Sequence, residues 1–435
     1  MSQKALAKGM RGFPEWIPAA KRVERQMLNT IASVYESYGY TPIETVAVEK
    51  TTSLATTGDV SKEIFGVQRL ANPEAQMKDA ELGLHFDLTL PFARYTAENA
   101  GQLQFPFKRY QMQKVWRGEK AQAGRYREFY QSDIDIVGDG SLPLHYEAEV
   151  IEVVYNIFRK LEIGDFTIKV NNRKLLEGLY RQAGIEDMSQ TLISIDKIDK
   201  IGKEKVEELL LTNGLTAEQA RICTDIAEKK FTVKESFAFL ESINCDSDML
   251  VEAKTELVTI FENLSELPEG HVIFDLSIAR GLDYYTGSVY ECTLKSLENF
   301  GSVCSGGRYD NLAEKFSKRK LPGVGISIGI TRLLYLLFEQ DRIQLGASTP
   351  TQAMVLLFDE AQRPEANKIA RQLREAGVNT EVSPTVKKFA KQIQFAEKRG
   401  AQFIVIPEDS GTPSMKNLIN GQQGDLDIEA LSKAL

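Results

Sequence analysis

Histidine and cysteine are scarce in this 435-residue sequence: three of the first (His85, His145, His271) and four of the second (Cys223, Cys245, Cys292, Cys304). No histidine stands at a metal-ligand spacing and no two cysteines form C-x-x-C. The chain alone therefore offers no metal site and no disulfide framework, and reduced cytosolic thiols are expected. Each histidine is expected to be structural rather than catalytic. No apolar run reaches the roughly 20 residues of a membrane span, and the first residues lack the apolar stretch of a signal peptide. A cytoplasmic chain with no membrane partner is the expectation. Positive charge is not in excess either: 53 Lys and Arg face 61 Asp and Glu, a net charge of −8. Composition therefore gives no support for a nucleic-acid partner, although a local basic patch can suffice. Internal repeats and low-complexity tracts are lacking.

What is present reads as globular. Hydrophobic residues make up 43 % and charged residues 26 %, and the length suits two or three domains. Val23, Met27, Ile31, Val34, Tyr35 and Tyr38 make one helical stripe over 20–38, stopped by Gly39. Residues 40–48, with β-branched side chains and Pro42, read as a strand near a sheet edge. Strands are expected around 85–90, 108–117 and 127–137, the last two forming an antiparallel hairpin around the charged loop 118–124. Residues 173–265, rich in Leu, Glu, Lys and Ala, read as helices inserted into one α+β domain, with strands resuming at 272–274 and 288–294. From about 347 onward, strands at 354–358, 380–382 and 403–406 alternate with helices ending at Gly377 and Gly400, implying a small, largely parallel α/β domain.

The chemistry concentrates in residues 116–135, WRGEKAQAGRYREFYQSDID. Four cations (Arg117, Lys120, Arg125, Arg127) lie on the hairpin and its loop. Side chains alternate along a strand, so Arg125, Arg127, Phe129, Gln131, Asp133 and Asp135 share a face. Such a row could hold phosphate, a base and an amine-bearing ligand, since the arginine fork is bidentate and permanently charged. It could equally be a solvated hairpin of mixed charge.

This segment resembles motif 2 of the class II aminoacyl-tRNA synthetases, and its continuation FYQSDIDIVG resembles the histidine-specific branch. Residues 86–95 (FDLTLPFARY) are similar to that family's D-L-T-x-P-x-A-R-Y segment. Residues 279–287 (ARGLDYYTG) and 305–310 (SGGRYD) are similar to the two signatures of the histidyl-tRNA synthetases. Residues 39–44 resemble motif 1 and 323–332 motif 3. The matches run in order over essentially the whole chain. Two positions depart from the family pattern: Thr331 stands where motif 3 has an acidic residue, and His85 where an arginine is usual.

The resemblance implies a class II catalytic core of α+β type with an antiparallel sheet, built from 1–172 and 266–335. It also implies a helical insertion at 173–265 and an α/β anticodon-binding domain at 347–435. The implied reaction joins L-histidine to ATP and passes it to the 3′ adenosine of tRNA(His), with Mg²⁺ accompanying ATP and no permanent prosthetic group. Positioning and fixed positive charge suffice for such chemistry. By resemblance, Arg117 and Arg280 are the catalytic pair, on opposite sides of the α-phosphate. Arg117, Glu119, Arg125, Phe129 and Arg332 bind ATP, with Phe129 and Arg332 sandwiching adenine. Histidine falls to Asp87, Leu88, Thr89, Arg117, Gln131, Asp135, Arg280, Tyr284 and Tyr285, of which Asp135 and Tyr285 meet the ring nitrogens. Taken singly, the tyrosines, Asp283 and the glycines of these segments could serve only turns and core.

Motif 1 builds the family's dimer interface, so a homodimer is implied. The insertion could touch the tRNA acceptor arm or simply pack. Lys387, Lys388 and Lys391 cluster on one helix of a C-terminal region whose eleven basic residues balance eleven acidic ones. They could meet tRNA phosphates or form a solvated face. The rival reading is a non-catalytic paralogue, a histidine-sensing regulatory subunit of ATP phosphoribosyltransferase. The retained Arg117, Arg125, Arg280 and Arg332 and the C-terminal domain argue against it. A proline or threonine synthetase conflicts with R-G-L-D-Y-Y-T-G, and tRNA-dependent turnover of ATP would separate a generic nucleotide-binding module.

Overall fold

A computed structural model describes residues 9–54, 63–69, 80–279, 284–295, 297–408 and 411–435. The chain divides into two compact units, Met1–Pro14 with Met27–Arg342, and Glu15–Gln26 with Ile343–Leu435.

The first unit is organised by one nine-stranded sheet. Its strands in chain order are β1 (Thr41–Pro42), β2 (Phe107–Trp116), β3 (Glu128–Val137), β4 (Phe166–Asn172), β5 (Lys230–Thr232), β6 (Val272–Asp275), β7 (Ser288–Leu294), β8 (Cys304–Tyr309) and β9 (Gly323–Gly329). Their order across the sheet is β1-β2-β3-β9-β8-β7-β4-β6-β5. The hairpin β2–β3 is antiparallel, from Phe107 opposite Val137 to Trp116 opposite Glu128. β3, β9, β8, β7 and β4 continue antiparallel. Only β1–β2 and β4–β6 run parallel.

Helices α1 (Pro18–Ser37), α2 (Thr89–Asn99), α3 (His145–Lys160), α4 (Asp248–Leu264) and α5 (Ile330–Glu339) bury apolar stripes. Ile31, Val34 and Tyr35 of α1 are buried, as are Val150, Val153, Val154, Ile157 and Phe158 of α3 and Leu333, Leu334, Leu336 and Leu337 of α5. α3 packs on β9 and α5 on β3. This is the amphipathic arrangement expected of helices that pack on a sheet. Gly39 takes φ +80° just past α1, as its position at the helix end requires.

The block after β4 is helical, as expected, with helices that include Arg173–Gln182, Lys203–Thr212, Ala217–Ala227, Val233–Ser242 and α4. Thr216 and Thr232 cap two of these helices with complete capping boxes. The block also returns strand β5 to the sheet, antiparallel to β6, and α4 packs against α3.

Two expected strands need correction. In the stretch 40–48 only Thr41–Pro42 pairs with the large sheet, at its edge, while Val48–Lys50 joins a separate three-stranded sheet. The strand placed at 85–90 is a turn into a helix. Leu82–Leu84 is the strand, and α2 starts at Thr89 because Asp87 Oδ1 accepts from Leu90 N at 3.1 Å. Pro91 then sits in the first turn, where a missing N–H costs nothing.

The second unit carries β10 (Ala353–Val355), β11 (Thr380–Val382), β12 (Phe403–Ile406), β13 (Ser414–Asn417) and β14 (Gln423–Asp425), in the order β11-β10-β12-β13-β14. Helices α6 (Arg363–Glu375) and α7 (Phe389–Arg399) link the parallel strands. The β-α-β-α-β reading holds, with β10 shorter than the 354–358 expected. It was incomplete: β13 and β14 extend the sheet antiparallel, and a last helix, Ile428–Ala434, follows.

Candidate active site

Two adjoining cavities open on the sheet of the first unit. The larger, about 230 Å³, is lined by side chains that include Arg117, Glu119, Arg125, Phe129, Ser302 and Arg332. The smaller, about 60 Å³, is lined by side chains that include Asp87, Thr89, Asp133, Asp135, Tyr285 and Tyr309. Arg117, Gln131, Ser305 and Ser327 line both. The period-two alternation of β3 delivers Phe129 and Gln131 to the first cavity, and Gln131, Asp133 and Asp135 to the second.

The larger cavity is cationic. Arg117 Nε donates to Phe86 O at 3.0 Å and Nη2 to Gln131 Oε1 at 3.3 Å, while its guanidinium lies 5.2 Å from the Phe129 ring centroid. Arg332 donates from Nε to Gly124 O at 3.2 Å and from Nη1 to Ser302 O at 2.7 Å. Burial, then the nearby Arg125 and Arg117, push its pKa down to about 10. It stays charged at neutral pH, but three crowded arginines make the cavity electrostatically uncomfortable until an anion enters. Arg125 reaches Glu119 at 3.4 Å.

Glu119 is the single carboxylate among the lining residues. The cavity is built to meet phosphate oxygens directly, and a divalent ion fits it as part of a nucleotide–metal complex. Among the described residues no group of three or more His, Cys, Asp or Glu is placed to hold a metal ion.

The smaller cavity is acidic. Asp87, Asp133 and Asp135 are all buried, and desolvation raises all three carboxyl pKa values, to about 6 for Asp87 and about 7 for Asp135. Asp135 accepts from Tyr309 OH at 2.6 Å and pairs with Arg109 at 2.5 Å. Tyr284 OH donates to Asp87 Oδ2 at 3.4 Å. Burial holds the Tyr284 and Tyr285 phenols well above their ordinary range, so they stay neutral. Three acids around one small space suit a ligand with an ammonium group and a polar ring.

Glycines make the room. A Cβ at Gly325 would stand 2.0 Å from Asp135 Oδ1, and one at Gly307 2.8 Å from the Tyr285 ring. Both lie within strands, so close approach and not turn geometry explains them.

The structure brings together Arg117, Glu119, Arg125, Phe129, Arg332, Asp87, Thr89, Gln131, Asp135, Tyr284 and Tyr285 around these cavities. Arg280 lies outside the described residues. Leu88 does not line either cavity: it is fully buried, and its carbonyl accepts from Arg109 Nη2 at 3.3 Å. Arg127 leaves the shared face, because β3 begins only at Glu128 and Arg127 Nε donates to Glu119 O at 3.0 Å. Ser305, Tyr309, Gly325 and Ser327 also line the cavities, Arg109 lies behind them against Asp135, and all five went unassigned from sequence.

The two departures have local explanations. Buried Thr331 accepts from Tyr130 N at 2.8 Å through Oγ1. His85 is buried, its Nε2 is 2.7 Å from Lys114 O, and burial lowers its pKa. It is a neutral structural histidine whose ring lies tilted against Trp116, centroids 5.5 Å apart.

A mixed, mostly antiparallel sheet carrying an arginine-lined hairpin and a paired polar pocket is the architecture of a class II aminoacyl-tRNA synthetase. A family model described as histidyl-tRNA synthetase matches residues 12–333, and one described as anticodon binding domain matches 352–435. The histidine–tRNA ligase of Thermobifida fusca (strain YX) is 44 % identical over 419 residues, 96 % of this chain and 96 % of that one. The crystal structure of histidyl-tRNA synthetase from Nostoc sp. PCC 7120 superposes with a TM-score of 0.89 at 36 % identity, covering 99 % of both chains. A Bacillus halodurans C protein titled an ATP phosphoribosyltransferase regulatory subunit/histidyl-tRNA synthetase gives 0.73 at 20 % identity, covering 93 % of this chain and 99 % of that one, a likeness of fold alone. This chain belongs to the histidyl-tRNA synthetase family.

Proposed function

We propose that the two cavities divide the first half-reaction of a histidine–tRNA ligase between them, with ATP in the larger and L-histidine in the smaller. The observation that carries this reading is the shared wall. Arg117 and Gln131 face both spaces, so a carboxylate in one meets an α-phosphate in the other beside the same guanidinium. A carboxylate oxygen of histidine attacks the α-phosphorus, the bond to the β-phosphate oxygen breaks, and pyrophosphate leaves. Arg117 screens the approach of the two anions and stabilises the charge that builds on the phosphate. Arg280, by its place in R-G-L-D-Y-Y-T-G, supplies charge from the opposite side.

Arg125 and Arg332 hold the β- and γ-phosphates, which arrive as the Mg²⁺ complex. Phe129 stacks on adenine, and Glu119 contacts the base. Asp87, Thr89 and Gln131 take the α-ammonium group, while Asp135 accepts from one imidazole nitrogen and Tyr285 meets the other. Buried polar groups reject side chains that leave them unpaired, by factors of roughly 10⁴ or more.

In the second half-reaction a hydroxyl of the terminal adenosine of tRNA(His) attacks the activated carbonyl and AMP leaves. Lys387, Lys388 and Lys391 flank the start of α7 and serve tRNA phosphates. The working form is a cytoplasmic homodimer. No helix among the described residues is long and apolar enough to cross a membrane.

The test is histidine-dependent pyrophosphate–ATP exchange by the wild type and by Arg280→Ala. Exchange with histidine alone among the amino acids, lost in the variant, supports the reading. A folded dimer that binds histidine but exchanges nothing would point to a regulatory paralogue.

A further inference from the structure

Arg109, on β2, is fully buried. It stands directly opposite Asp135 in the β2–β3 register and pairs with it at 2.5 Å. Nη2 also donates to Leu88 O at 3.3 Å, and the guanidinium packs 4.3 Å from the Phe92 ring centroid. Its Nε and Nη1 have no hydrogen-bond partner among the described residues. A guanidinium taken wholly out of water, with two of its nitrogens unpartnered, weakens a core that an apolar side chain would strengthen. An ordinary packing role does not account for it.

The groups facing Asp135 show what it does. Asp133 on the same strand and Asp87 ahead of α2 both oppose ionisation of Asp135, as does burial. The phenols of Tyr40, Tyr284, Tyr285 and Tyr309 are all raised and neutral. Arg109 is the largest influence favouring the ionised form, followed by the hydrogen bond from Tyr309. A carboxylate has about four lone-pair sites. Arg109 and Tyr309 engage one site on each oxygen, which fixes the plane of the group and leaves the rest for the cavity.

We propose that Arg109 is a positioning residue for histidine selection: it keeps the Asp135 carboxylate ionised and oriented as the acceptor of the imidazole N–H. The inference rests on the smaller cavity being the histidine site. Arg109 itself does not line that cavity and acts only through Asp135.

The test compares Arg109→Met, Arg109→Lys and Tyr309→Phe with the wild type in pyrophosphate–ATP exchange. KM for histidine and for ATP are measured from pH 7.0 to 8.5, and thermal unfolding is followed alongside. Dividing each variant's KM by the wild-type value at the same pH cancels the substrate's own ionisation. Without the cation, Asp135 holds its proton to higher pH. Arg109→Met is therefore expected to raise KM for histidine roughly 30-fold or more at pH 7.0, with the deficit shrinking several-fold by pH 8.5, while KM for ATP stays within about twofold. Arg109→Lys should recover part of the loss, and Tyr309→Phe should show a smaller deficit with the same pH trend.

A histidine deficit that does not change with pH, or that ATP shares equally, would overturn the proposal and leave Arg109 a structural residue. If Arg109→Met does not fold, the pH trend in the other two variants decides in the same way. A wild type that exchanges nothing with histidine would instead sink the assignment of the cavity.

Discussion

Replacing Gly325 by alanine tests the histidine pocket with a single methyl group. The added Cβ would stand 2.0 Å from Asp135 Oδ1, 2.6 Å from its Cγ and 2.8 Å from the Ile134 carbonyl oxygen. Ordinary contact lies beyond 3.4 Å, so the carboxylate must retreat by more than about 1 Å, and the Ile134 carbonyl crowds the methyl as well. The 2.6 Å bond from Tyr309 then stretches past useful length. The Arg109 pair is disturbed as well, and a disrupted buried pair costs about 3–5 kcal/mol of stability. For binding, the relevant loss is one charge-assisted hydrogen bond to the imidazole with its geometry, about 2–4 kcal/mol. That predicts a KM for histidine raised roughly 30- to 1,000-fold. ATP, proposed to occupy the other cavity, should be little affected. The assay is pyrophosphate–ATP exchange with each substrate varied in turn, on protein shown to be folded by its unfolding transition. A folded variant whose histidine KM lies within threefold of wild type, or whose ATP KM rises in parallel, would refute the reasoning.

Arg332→Ala removes a guanidinium proposed to hold phosphate and frees the Gly124 and Ser302 carbonyls it now holds. KM for ATP should rise roughly 100-fold with histidine affinity nearly unchanged, and exchange kinetics at varied ATP checks this. Asp87 and Asp135 titrate near pH 6 and pH 7, raised by burial, so the folded chain holds protons that the unfolded chain has released. Their ionisation weakens the fold progressively as pH climbs from about 4 to about 7, while histidine binding requires it. The kcat/KM for histidine should therefore fall between pH 8 and 6 more steeply than free imidazole titration accounts for, and a profile matching free imidazole alone would contradict the assignment. Changing Lys387, Lys388 and Lys391 together to glutamine should leave pyrophosphate exchange intact. It should flatten the salt dependence of tRNA affinity by about 0.7–0.9 per lost contact, and an unchanged slope would return these lysines to solvent.

Legibility followed the range of the interactions involved. Gln131 and Asp135 could be placed on one face because strand alternation is local, and the strands expected at 108–117 and 127–137 around a charged, glycine-bounded loop match the observed hairpin to within a residue. Residues 85–90 misled because Leu, Thr and Phe there look like a strand. The deciding facts are one Asp87 side-chain bond and Pro91 inside the first helical turn. Arg109 was invisible as part of the site because its partner lies 26 positions away, and only the hairpin register sets them opposite. Gly307 could pass for a turn residue, and Gly325 carried no reading of its own, until the side chains that approach them were placed. β13 and β14 escaped notice because their residues, Ser-Met-Lys-Asn and Gln-Gly-Asp, of which only Ser414 is buried, carry no apolar pattern.

The wall common to the two cavities has a thermodynamic corollary. Arg117 is tethered to Gln131, and Gln131 in turn touches Ser327 and Asp133, so under the proposed division two substrates would share these groups. If histidine tightens ATP by some factor, ATP must tighten histidine by the same factor. A single molecule carrying both an adenosine and an imidazole arm, joined by a non-hydrolysable link, would collect that coupling and bind its second arm at high effective concentration. Its affinity relative to the separate fragments would report the product of that effective concentration and the coupling, and the coupling itself is the factor by which one fragment tightens the other when both are added unlinked.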